Sequence, residues 1–411
     1  MRNKVVIIGA GPAGVSAAET VRAYDRRAEL IVVSAEPYPP YSPPAMVDHF
    51  LTGSQSHLWR GPDWPERWQV DYRKGVMATA IEPAAHRLSL DVGGMLGYDK
   101  LVIATGSRLH APLEGAENAG VYNFKSLQAA EALIERIKTG EARRAVIVGA
   151  GFIGMEIALL LSELGVAVIQ VEMLDQVMPA MLDKQTADFT LSIMRQRGVD
   201  VRLNTKALAF TGGKRATGVE LETGETLEAD ILIAATGVRP NLEALQTSGI
   251  AHRWGITVDD HLRTSAPDIY AAGDAVEAMD RLTGEVYVHA NFPNAVEQGY
   301  VVGLNLLDLD MTYAGAERMN SLKHLGLPVM AVGLKQGDEV LQNRHDGVMR
   351  TLYLQEDRLV GFQLVGQIHA AGVLRTLMNT HRNLRDIKDR LLDPNFGVGS
   401  LVWEALTPNA I

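Results

Sequence analysis

Short, almost uninterrupted apolar runs recur along the chain, and glycines follow several of them. Residues 4–8 read KVVII and residues 144–148 read RAVIV. An apolar run rich in β-branched residues and bounded by glycine is typical of a parallel strand that is covered on both faces. At 411 residues the chain is too long for one compact domain, and we expect two or three. The pattern predicts an α/β fold.

A GxGxxG motif follows the first run. This spacing lets the chain turn tightly, lets backbone amides approach a pyrophosphate at a helix N-terminus, and lets that helix pack closely on the strand. The next strand, ELIVVSAE, ends at Glu36, whose carboxylate can accept hydrogen bonds from an adenosine ribose. The alternative is a turn that only packs a helix, with Glu36 in solvent. The predicted cofactor contacts of this turn are Gly9, Gly11, Pro12, Ala13 and Gly14.

The same arrangement recurs about 140 residues later. AVIVGAGFIG repeats the motif after a strand, and VAVIQVE ends at Glu172. An acidic residue at this point repels a 2′-phosphate and favours NAD over NADP, and MLDQVMPAMLD, which follows, has no basic cluster. The predicted contacts of this second turn are Gly149, Gly151, Ile153, Gly154 and Glu172.

The duplication extends to a third feature. YDKLVIATGSR at 98–108 and ADILIAATGVRPN at 229–241 are buried strands that end in Ala-Thr-Gly, each about 90 residues after its glycine motif. Their predicted cofactor contacts are Ala104, Thr105, Gly106 and Gly237. Two copies of one dinucleotide-binding unit predict two bound dinucleotides, which suits a relay in which a nicotinamide hands a hydride to a bound flavin.

The order of these motifs, completed by DIYAAGD at 268–274, resembles the FAD-dependent pyridine-nucleotide oxidoreductases of the glutathione-reductase superfamily over residues 1 to about 320. The resemblance implies that the first unit binds FAD and that the second, inserted in it, binds NAD(H). It also implies that Asp274, preceded by Gly273, contacts the ribityl chain of the flavin. The helix predicted in NFPNAVEQGYVVGLNLL would point Asn294 and Ala295 at the flavin, where its dipole stabilises negative charge. The alternative is a plain core helix.

The resemblance also sets the expected domain division. Residues 1–110 with 242–320 would form the FAD-binding domain, and 111–241 the NAD-binding domain, both Rossmann-like. Residues 321–411 would form a small α+β domain with a hairpin turn at Glu356-Asp357 and a closing amphipathic helix in AAGVLRTLMNTHRNLRDIKDRLL. This segment resembles the C-terminal domain of rubredoxin reductases, where it forms an oligomer or partner surface. Phe396 and Trp403 at its end could be core or a partner anchor.

The segment after Glu36 distinguishes the subfamilies. The chain has no cysteine, which excludes disulfide, sulfenate and thiolate-ligated cluster chemistry in this polypeptide. PYPPYSPPAMVDHFLTG instead resembles the Tyr-x-x-Pro-x-Leu-Ser-Lys segment of ferredoxin and rubredoxin reductases, matched by Tyr41, by Pro44 as a cofactor contact, and by Met46. Asp48 stands where those proteins have a lysine beside the flavin.

Two residues of the second motif are the predicted catalytic positions. Glu156 matches the glutamate that pairs with that lysine in the resembling reductases, so Glu156 and Asp48 could be two carboxylates near the flavin, which raises the pKa of one. A shifted alignment, or an outward-facing Asp48, is the alternative. Phe152 stands where the family has a gate over the nicotinamide pocket, and packing against a strand is its alternative role.

Charge and composition narrow the partners. A net charge of −10 offers no basic stripe for nucleic acid, and no apolar run reaches the roughly 20 residues of a membrane span. With no targeting segment visible, we expect a cytoplasmic protein. The histidines have no paired metal-ligand spacing, so no metal site is predicted.

The missing cysteines require an external electron acceptor or donor. A ferredoxin, a rubredoxin or an iron–sulfur subunit is the first choice, with the chain also able to reduce NAD inside a 2-oxoacid oxidoreductase complex of the phenylglyoxylate dehydrogenase type. A self-contained NADH oxidase or quinone-type reductase is the alternative, and a redox-sensing flavoprotein that turns over poorly is a third.

Overall fold

The computed structural model describes residues 3–322 and 326–401. The α-helices of these residues are α1 (Pro12–Tyr24), α2 (Met46–Thr52), α3 (Trp64–Trp68), α4 (Leu127–Lys138), α5 (Phe152–Glu163), α6 (Lys184–Gln196), α7 (Phe292–Asn305) and α8 (Ala371–Asn379). The strands are β1 (Lys4–Ile8), β2 (Glu29–Ser34), β3 (Asp71–Lys74), β4 (Ala78–Glu82), β5 (Arg87–Leu90), β6 (Met95–Gly97), β7 (Lys100–Ile103), β8 (Ser107–His110), β9 (Val121–Tyr122), β10 (Arg144–Val148), β11 (Ala167–Val171), β12 (Asp200–Arg202), β13 (Ala207–Thr211), β14 (Gly218–Leu221), β15 (Thr226–Glu228), β16 (Ile231–Ala234), β17 (Gly237–Pro240), β18 (Ile256–Thr257), β19 (Ile269–Ala271), β20 (Val276–Met279), β21 (Val286–Val288), β22 (Met319–Leu322), β23 (Val329–Gly333), β24 (Glu339–His345), β25 (Val348–Gln355) and β26 (Arg358–Val365).

The chain folds into two compact units. Unit 1 comprises the described residues of Met1–Ala111, Tyr122–Lys138 and Gly237–Glu317. Unit 2 comprises those of Pro112–Val121, Thr139–Thr236 and Arg318–Ile411. The division into three domains stays a prediction.

The main sheet of unit 1 is parallel, in the order β19-β7-β1-β2-β3. The central strand β1 is buried on both faces, as its apolar run predicts. Helix α1 lies directly against α7, because Gly299 of α7 has no side chain: a Cβ atom there would lie 2.2 Å from the carbonyl oxygen of Ala13. The Ser16 hydroxyl donates to the carbonyl of Val296 at 2.7 Å across this contact.

The main sheet of unit 2 repeats this arrangement in the order β12-β11-β10-β16-β9. The pairings β10 with β11, β10 with β16 and β11 with β12 are parallel. Helix α5 is apolar on nearly all sides, and seven of its twelve residues are buried. Both units therefore contain the α/β core that the repeated motifs predict.

Smaller sheets complete both units. In unit 1 they are β4-β5-β6, β18-β20-β21 and the antiparallel pair β8-β17. In unit 2, β13-β14-β15 forms an antiparallel sheet, and a further antiparallel sheet has the order β22-β23-β26-β25-β24. We call this last one the C-terminal sheet.

The predicted hairpin of the C-terminal sheet is confirmed. Strands β25 and β26 are joined by Glu356 and Asp357 alone, with φ angles of 50° and 58°. Two consecutive positive φ angles in a two-residue loop are the geometry that matches the right-handed twist of a hairpin.

The closing helix is shorter than predicted. Helix α8 ends at Asn379, and the chain then turns through His381, whose φ is 49°. The amide of Leu384 donates to the carbonyl of Asp357 at 2.8 Å, so the chain returns to the hairpin instead of continuing as a helix. Leu384 and Leu391 are still fully buried, because the turns after α8 bring both side chains into the apolar core of the C-terminal sheet. Phe396 is buried in this core, and Trp403 lies outside the described residues.

Candidate dinucleotide-binding sites

The three glycines of the first turn each have a different steric reason. Gly9 has a φ of +108°, and a Cβ atom there would lie 2.1 Å from the carbonyl oxygen of Ala104. At Gly14 a Cβ atom would lie 1.9 Å from the carbonyl oxygen of Gly9, so this glycine allows the helix to approach the turn. At Gly11 a Cβ atom would meet nothing within 4 Å. The open space at Gly11 is where a ligand can reach the backbone.

The N-terminus of α1 is prepared for an anion. Gly11 is its N-cap and offers no side chain, Pro12 occupies the first turn, and no acidic residue lies there. The amide of Val15 makes the first intrahelical bond, to the carbonyl of Gly11 at 3.0 Å. A helix start with no capping side chain leaves backbone amides and the positive end of the dipole for a phosphate group.

Glu36 lies two residues beyond the end of β2, and two hydrogen bonds from other residues of unit 1 orient its carboxylate. The hydroxyl of Tyr41 donates to Oε2 at 2.5 Å, and the amide of Gln128 donates to Oε1 at 3.3 Å. Burial, and next the negative charge of Glu36, raise the pKa of Tyr41 well above its usual range, so this hydroxyl remains a donor. A carboxylate has about four lone-pair sites, so Glu36 can still accept bonds from a ribose. Tyr41, chosen in the sequence only as part of a resembling segment, has a definite structural role here.

Asp274 is held by two residues that the sequence analysis missed. Lys125 forms an ion pair with its Oδ2 at 2.5 Å, and the Ser107 hydroxyl donates to the same oxygen at 2.8 Å. The side chains of Lys125 and Asp274 are 19% and 15% exposed. Ser107 directly follows the first Ala-Thr-Gly and could have been found from that position. Lys125 is 149 residues from Asp274, and no sequence signal joins them.

The loop that carries Asp274 meets α1 and α7. Gly273 has a φ of +80°, and a Cβ atom there would lie 3.1 Å from the Cβ of Ala13 and 3.7 Å from that of Ala295. Its amide donates to Oε1 of the buried Gln298 at 2.7 Å. Unit 1 therefore brings together the glycine turn, the DIYAAGD loop and the start of α7, as the resemblance predicts.

Asn294 holds the start of α7 through its side chain. Its Nδ2 donates to the carbonyl of Glu317 at 3.0 Å, and its Oδ1 accepts from the amide of Glu317 at 3.0 Å. The residue is 1% exposed, and Asn291 caps the helix by accepting from the Asn294 amide at 2.9 Å. The side chain of Asn294 is thus a structural anchor, and the predicted flavin contact of this helix depends on its position.

The first Ala-Thr-Gly segment is bonded to Asn241, which lies four residues beyond the second one. The hydroxyl of Thr105 donates to its carbonyl at 2.7 Å, and its amide donates to the carbonyl of Gly106 at 3.0 Å. Gly237 begins β17, which pairs with β8. The hydroxyl proton of Thr105 is therefore bonded within the protein. Gly106, with a φ of +67° and open space at its Cα, allows the close approach of a ligand.

The second glycine turn repeats the first. Gly149 has a φ of +105° and approaches Ala235 as Gly9 approaches Ala104. A Cβ atom at Gly154 would lie 2.4 Å from the carbonyl oxygen of Gly149, and one at Gly151 would meet nothing within 4 Å. Helix α5 again has no capping side chain and no acid in its first turn. The buried Gln170, which the sequence analysis missed, donates to the carbonyl of Gly149 at 2.9 Å and supports the turn.

Glu172 is more deeply engaged than Glu36. It is 8% exposed, and its carboxylate accepts from the amide of Ala150 at 2.9 Å and from that of Leu174 at 3.0 Å. The residue therefore ties the glycine turn to the loop that follows β11. Its contact with a ribose stays a prediction, which the remaining lone pairs allow.

The predicted catalytic positions lie on α5. Phe152 is its first residue, and it and Glu156 are half-buried. Asp48 is half-buried on α2 in unit 1, beside the exposed Pro44 and the buried Met46. The gate role of Phe152 and the encounter of the two carboxylates stay predictions.

Residues 3–299 match the family model described as pyridine nucleotide-disulphide oxidoreductase. The chain belongs to this family. It is an oxidoreductase of the kind that uses FAD and NAD(H), and the expected fold and cofactors are confirmed. The family is named for disulphide chemistry, which this cysteine-free member cannot perform with its own residues.

The relatives cover from three quarters to nearly all of the chain. The NADH-dependent phenylglyoxylate dehydrogenase subunit epsilon of Aromatoleum evansii is 29% identical over 408 residues, 96% of either chain. The ferredoxin–NAD(+) reductase component of the anthranilate 1,2-dioxygenase system of Burkholderia cepacia is 33% identical over 314 residues, which are 75% of this chain and 77% of the relative. The reductase in the covalent putidaredoxin reductase–putidaredoxin complex superposes with a TM-score of 0.83 at 25% identity and 99% coverage of both chains.

The residues of both turns fit the cofactors of this oxidoreductase family. In each, the middle glycine has open space at its Cα, the helix start has no competing acid, and a carboxylate lies just beyond the next strand. In the described part of the chain, no helix combines the length and the apolar character that crossing a bilayer requires.

Proposed function

We propose that this oxidoreductase exchanges a hydride with NAD(H) and passes electrons to, or receives them from, an iron–sulfur protein partner. The observation that carries the proposal is the pair of equivalent glycine turns, each open at its middle glycine, in a chain that has no cysteine. Two dinucleotide sites support a relay between cofactors, and the missing thiols leave the final electron transfer to another molecule.

The residues of unit 2 bind the nicotinamide dinucleotide. The amides at the start of α5 hold its pyrophosphate, and the carboxylate of Glu172 disfavours a 2′-phosphate beside it by charge repulsion. NADH is therefore the preferred coenzyme, and it binds in the second turn with Gly151 as the closest backbone approach.

The residues of unit 1 hold the flavin dinucleotide. The start of α1 binds its pyrophosphate, Glu36 its adenosine ribose, and Asp274, paired with Lys125, the ribityl chain that the resemblance assigns to it. Bound FAD supplies the ability to take electrons as a hydride and to release them singly. The Lys125 ammonium keeps the carboxylate of Asp274 paired and oriented.

The nature of the partner is drawn from the relatives. One is a ferredoxin–NAD(+) reductase component, and another is a reductase captured with putidaredoxin. A partner of this kind supports the forward direction, from NADH to the iron–sulfur protein. The similarity to a subunit of an NADH-dependent dehydrogenase supports a place in a larger complex, in which electrons reach NAD from other subunits. The proposal includes a cytoplasmic location and an oligomer or partner surface on the C-terminal sheet.

The deciding experiment is purification of the native protein from its own host, with co-purifying iron and the rate of flavin reduction by NADH measured together. Co-purifying iron–sulfur polypeptides and fast reduction are expected. The partner proposal would be contradicted if the protein purified alone and consumed oxygen with NADH as fast as NADH reduces its flavin. Such a protein would be a self-contained oxidase.

A further inference from the structure

A loop in unit 2 is hydrogen-bonded to the second glycine turn. Residues 173–182, which we call the nucleotide loop, connect Glu172 to Asp183 at the start of α6. The amide of Met178 donates to the carbonyl of Ala150, within the glycine turn, at 2.8 Å. The loop is therefore attached to the backbone that approaches a bound dinucleotide.

The conformation of the nucleotide loop requires outside support. Met178 has a φ of 49°, in the left-handed region that side chains other than glycine rarely adopt. Residues in this region persist only where surrounding contacts determine them. Within the loop, the amides of Met181 and Leu182 donate to the Met178 carbonyl, each at 3.0 Å, and the C-terminal sheet holds the end of the loop.

Gln363 of β26 makes two bonds to the end of the loop. Its Nε2 donates to the carbonyl of Met181 at 3.0 Å, and its Oε1 accepts from the amide of Asp183 at 3.2 Å. Gln363 is 2% exposed. A buried amide is destabilising unless its polar atoms are bonded, and here both of those atoms bond to one short backbone segment.

Tyr353 of β25 makes the next contact. Its hydroxyl donates to Oδ2 of Asp183, whose Oδ1 caps α6 by accepting from the amide of Thr186 at 2.7 Å. Burial and Asp183 raise the pKa of Tyr353 far above its usual range, so the hydroxyl stays a donor. The Lys335 ammonium also donates to the carbonyl of Pro179 in the loop.

Gln363 and Tyr353 face away from the apolar core of the C-terminal sheet. Successive side chains of a strand point to opposite faces, so the core residues Leu352 and Phe362, their neighbours along β25 and β26, lie on the other face. Both polar side chains direct hydrogen-bonding atoms to the nucleotide loop and to Asp183, where the loop ends.

We propose that Tyr353 and Gln363 are positioning residues for NADH. They hold the nucleotide loop against the second glycine turn, and so keep Glu172 and the amides of that turn in their binding arrangement before the coenzyme arrives. Preorganisation of this kind increases affinity because less ordering remains to be done on binding. The proposal rests on the proposed function, in which NADH binds at this turn, and it makes the C-terminal sheet part of the coenzyme site.

The test compares Tyr353→Phe and Gln363→Leu with a control from the same sheet. The control is Thr351→Val at the position directly opposite Gln363 in the register. It removes the 2.9 Å bond from Gln342 to the Thr351 hydroxyl and leaves the bonds from Gln363 and Tyr353 to the loop in place. Each variant is purified as the holoenzyme. The rate of ferricyanide reduction is then measured against NADH concentration, together with the thermal midpoint.

Both loop variants are expected to raise the KM for NADH about fivefold, with kcat changed less than about twofold, because a lost hydrogen bond weakens binding by roughly this factor. The control should keep the wild-type KM. If Gln363→Leu fails to fold, Gln363→Met serves in its place and Tyr353→Phe, which keeps the ring, carries the test.

Two results would overturn the inference: an unchanged KM in folded loop variants, or an equal rise in Thr351→Val. Failure of the wild-type flavin to be reduced by NADH would instead refute the proposed function itself. The two kinds of failure are distinguishable because flavin reduction by NADH is measured on the wild-type protein alone.

Discussion

The glycines of the first turn predict opposite outcomes for the same substitution. Gly11→Ala adds a methyl group into open space at an ordinary φ of −75°, so the fold should keep its stability while the flavin pyrophosphate loses its closest approach. Gly14→Ala puts a Cβ atom 1.9 Å from the carbonyl of Gly9 and should destabilise the protein by about 2–3 kcal/mol or more. Thermal unfolding and FAD content separate the two effects. Equal destabilisation by both variants would refute the assignment.

The Lys125–Asp274 pair is expected to govern flavin affinity. Lys125→Met leaves Asp274 as a mostly buried carboxylate without its counter-charge. The dissociation constant for FAD should then rise at least about tenfold, a loss of about 1.4 kcal/mol of binding free energy. Lys125→Arg should retain most of the affinity because it keeps the charge.

The matched control for this prediction is Lys206→Met. Lys206 pairs with Glu222 on the surface of unit 2, where both side chains are about half exposed. The free energy of FAD binding should therefore change by no more than about 0.5 kcal/mol. FAD dissociation constants from fluorescence titration decide the comparison. No difference between Lys125→Met and this control would remove Lys125 from the flavin site.

At the level of the element, a glycine inside a helix either permits a close helix–helix contact or only lowers the stability of the helix. Gly299→Ala in α7 would press a Cβ atom to within 2.2 Å of the Ala13 carbonyl and should separate α7 from α1, at a loss of about 2–3 kcal/mol. Gly372→Ala in α8 meets nothing within 4 Å and is exposed, so it should stabilise the protein by about 0.5–1 kcal/mol. Urea unfolding measures both, and the interpretation is wrong if the two changes have the same sign.

The elements also show where pattern reading succeeds. The hairpin at Glu356-Asp357 and helix α7 are local features, so turn chemistry and apolar spacing predict them. The early end of α8 was missed because Leu384 and Leu391 keep a helical spacing, while a contact with the hairpin at Asp357 turns the chain away. Tertiary contacts outweigh a weak local preference there.

For the whole molecule, alkaline pH is expected to reduce stability through its buried tyrosines. Burial raises the pKa of Tyr98 to about 12, and burial also raises those of Tyr41 and Tyr313. A tyrosine in an unfolded chain titrates near about 10. Above that pH the unfolded state loses protons that the folded state keeps, so the free energy of unfolding falls as pH rises towards the folded-state values.

Urea midpoints between about pH 8 and pH 11.5 test this prediction. The midpoint should be level up to about pH 10 and fall beyond it, and Tyr98→Phe should make the decline shallower because one raised pKa is removed. A midpoint independent of pH over this range would contradict the role of the buried tyrosines.

The amino-acid sequence by itself determined the repeated core of this oxidoreductase. Strands, glycine turns and the carboxylates Glu36 and Glu172 follow from spacing within about 35 residues. The absence of cysteine excludes thiol and disulfide chemistry in this polypeptide regardless of its fold. Only the tertiary structure decided which distant side chains complete the sites. Lys125 meets Asp274, and Gln363 meets the nucleotide loop, across 149 and 182 residues. No periodicity reports such pairs, because their separation along the chain is set by how whole elements pack.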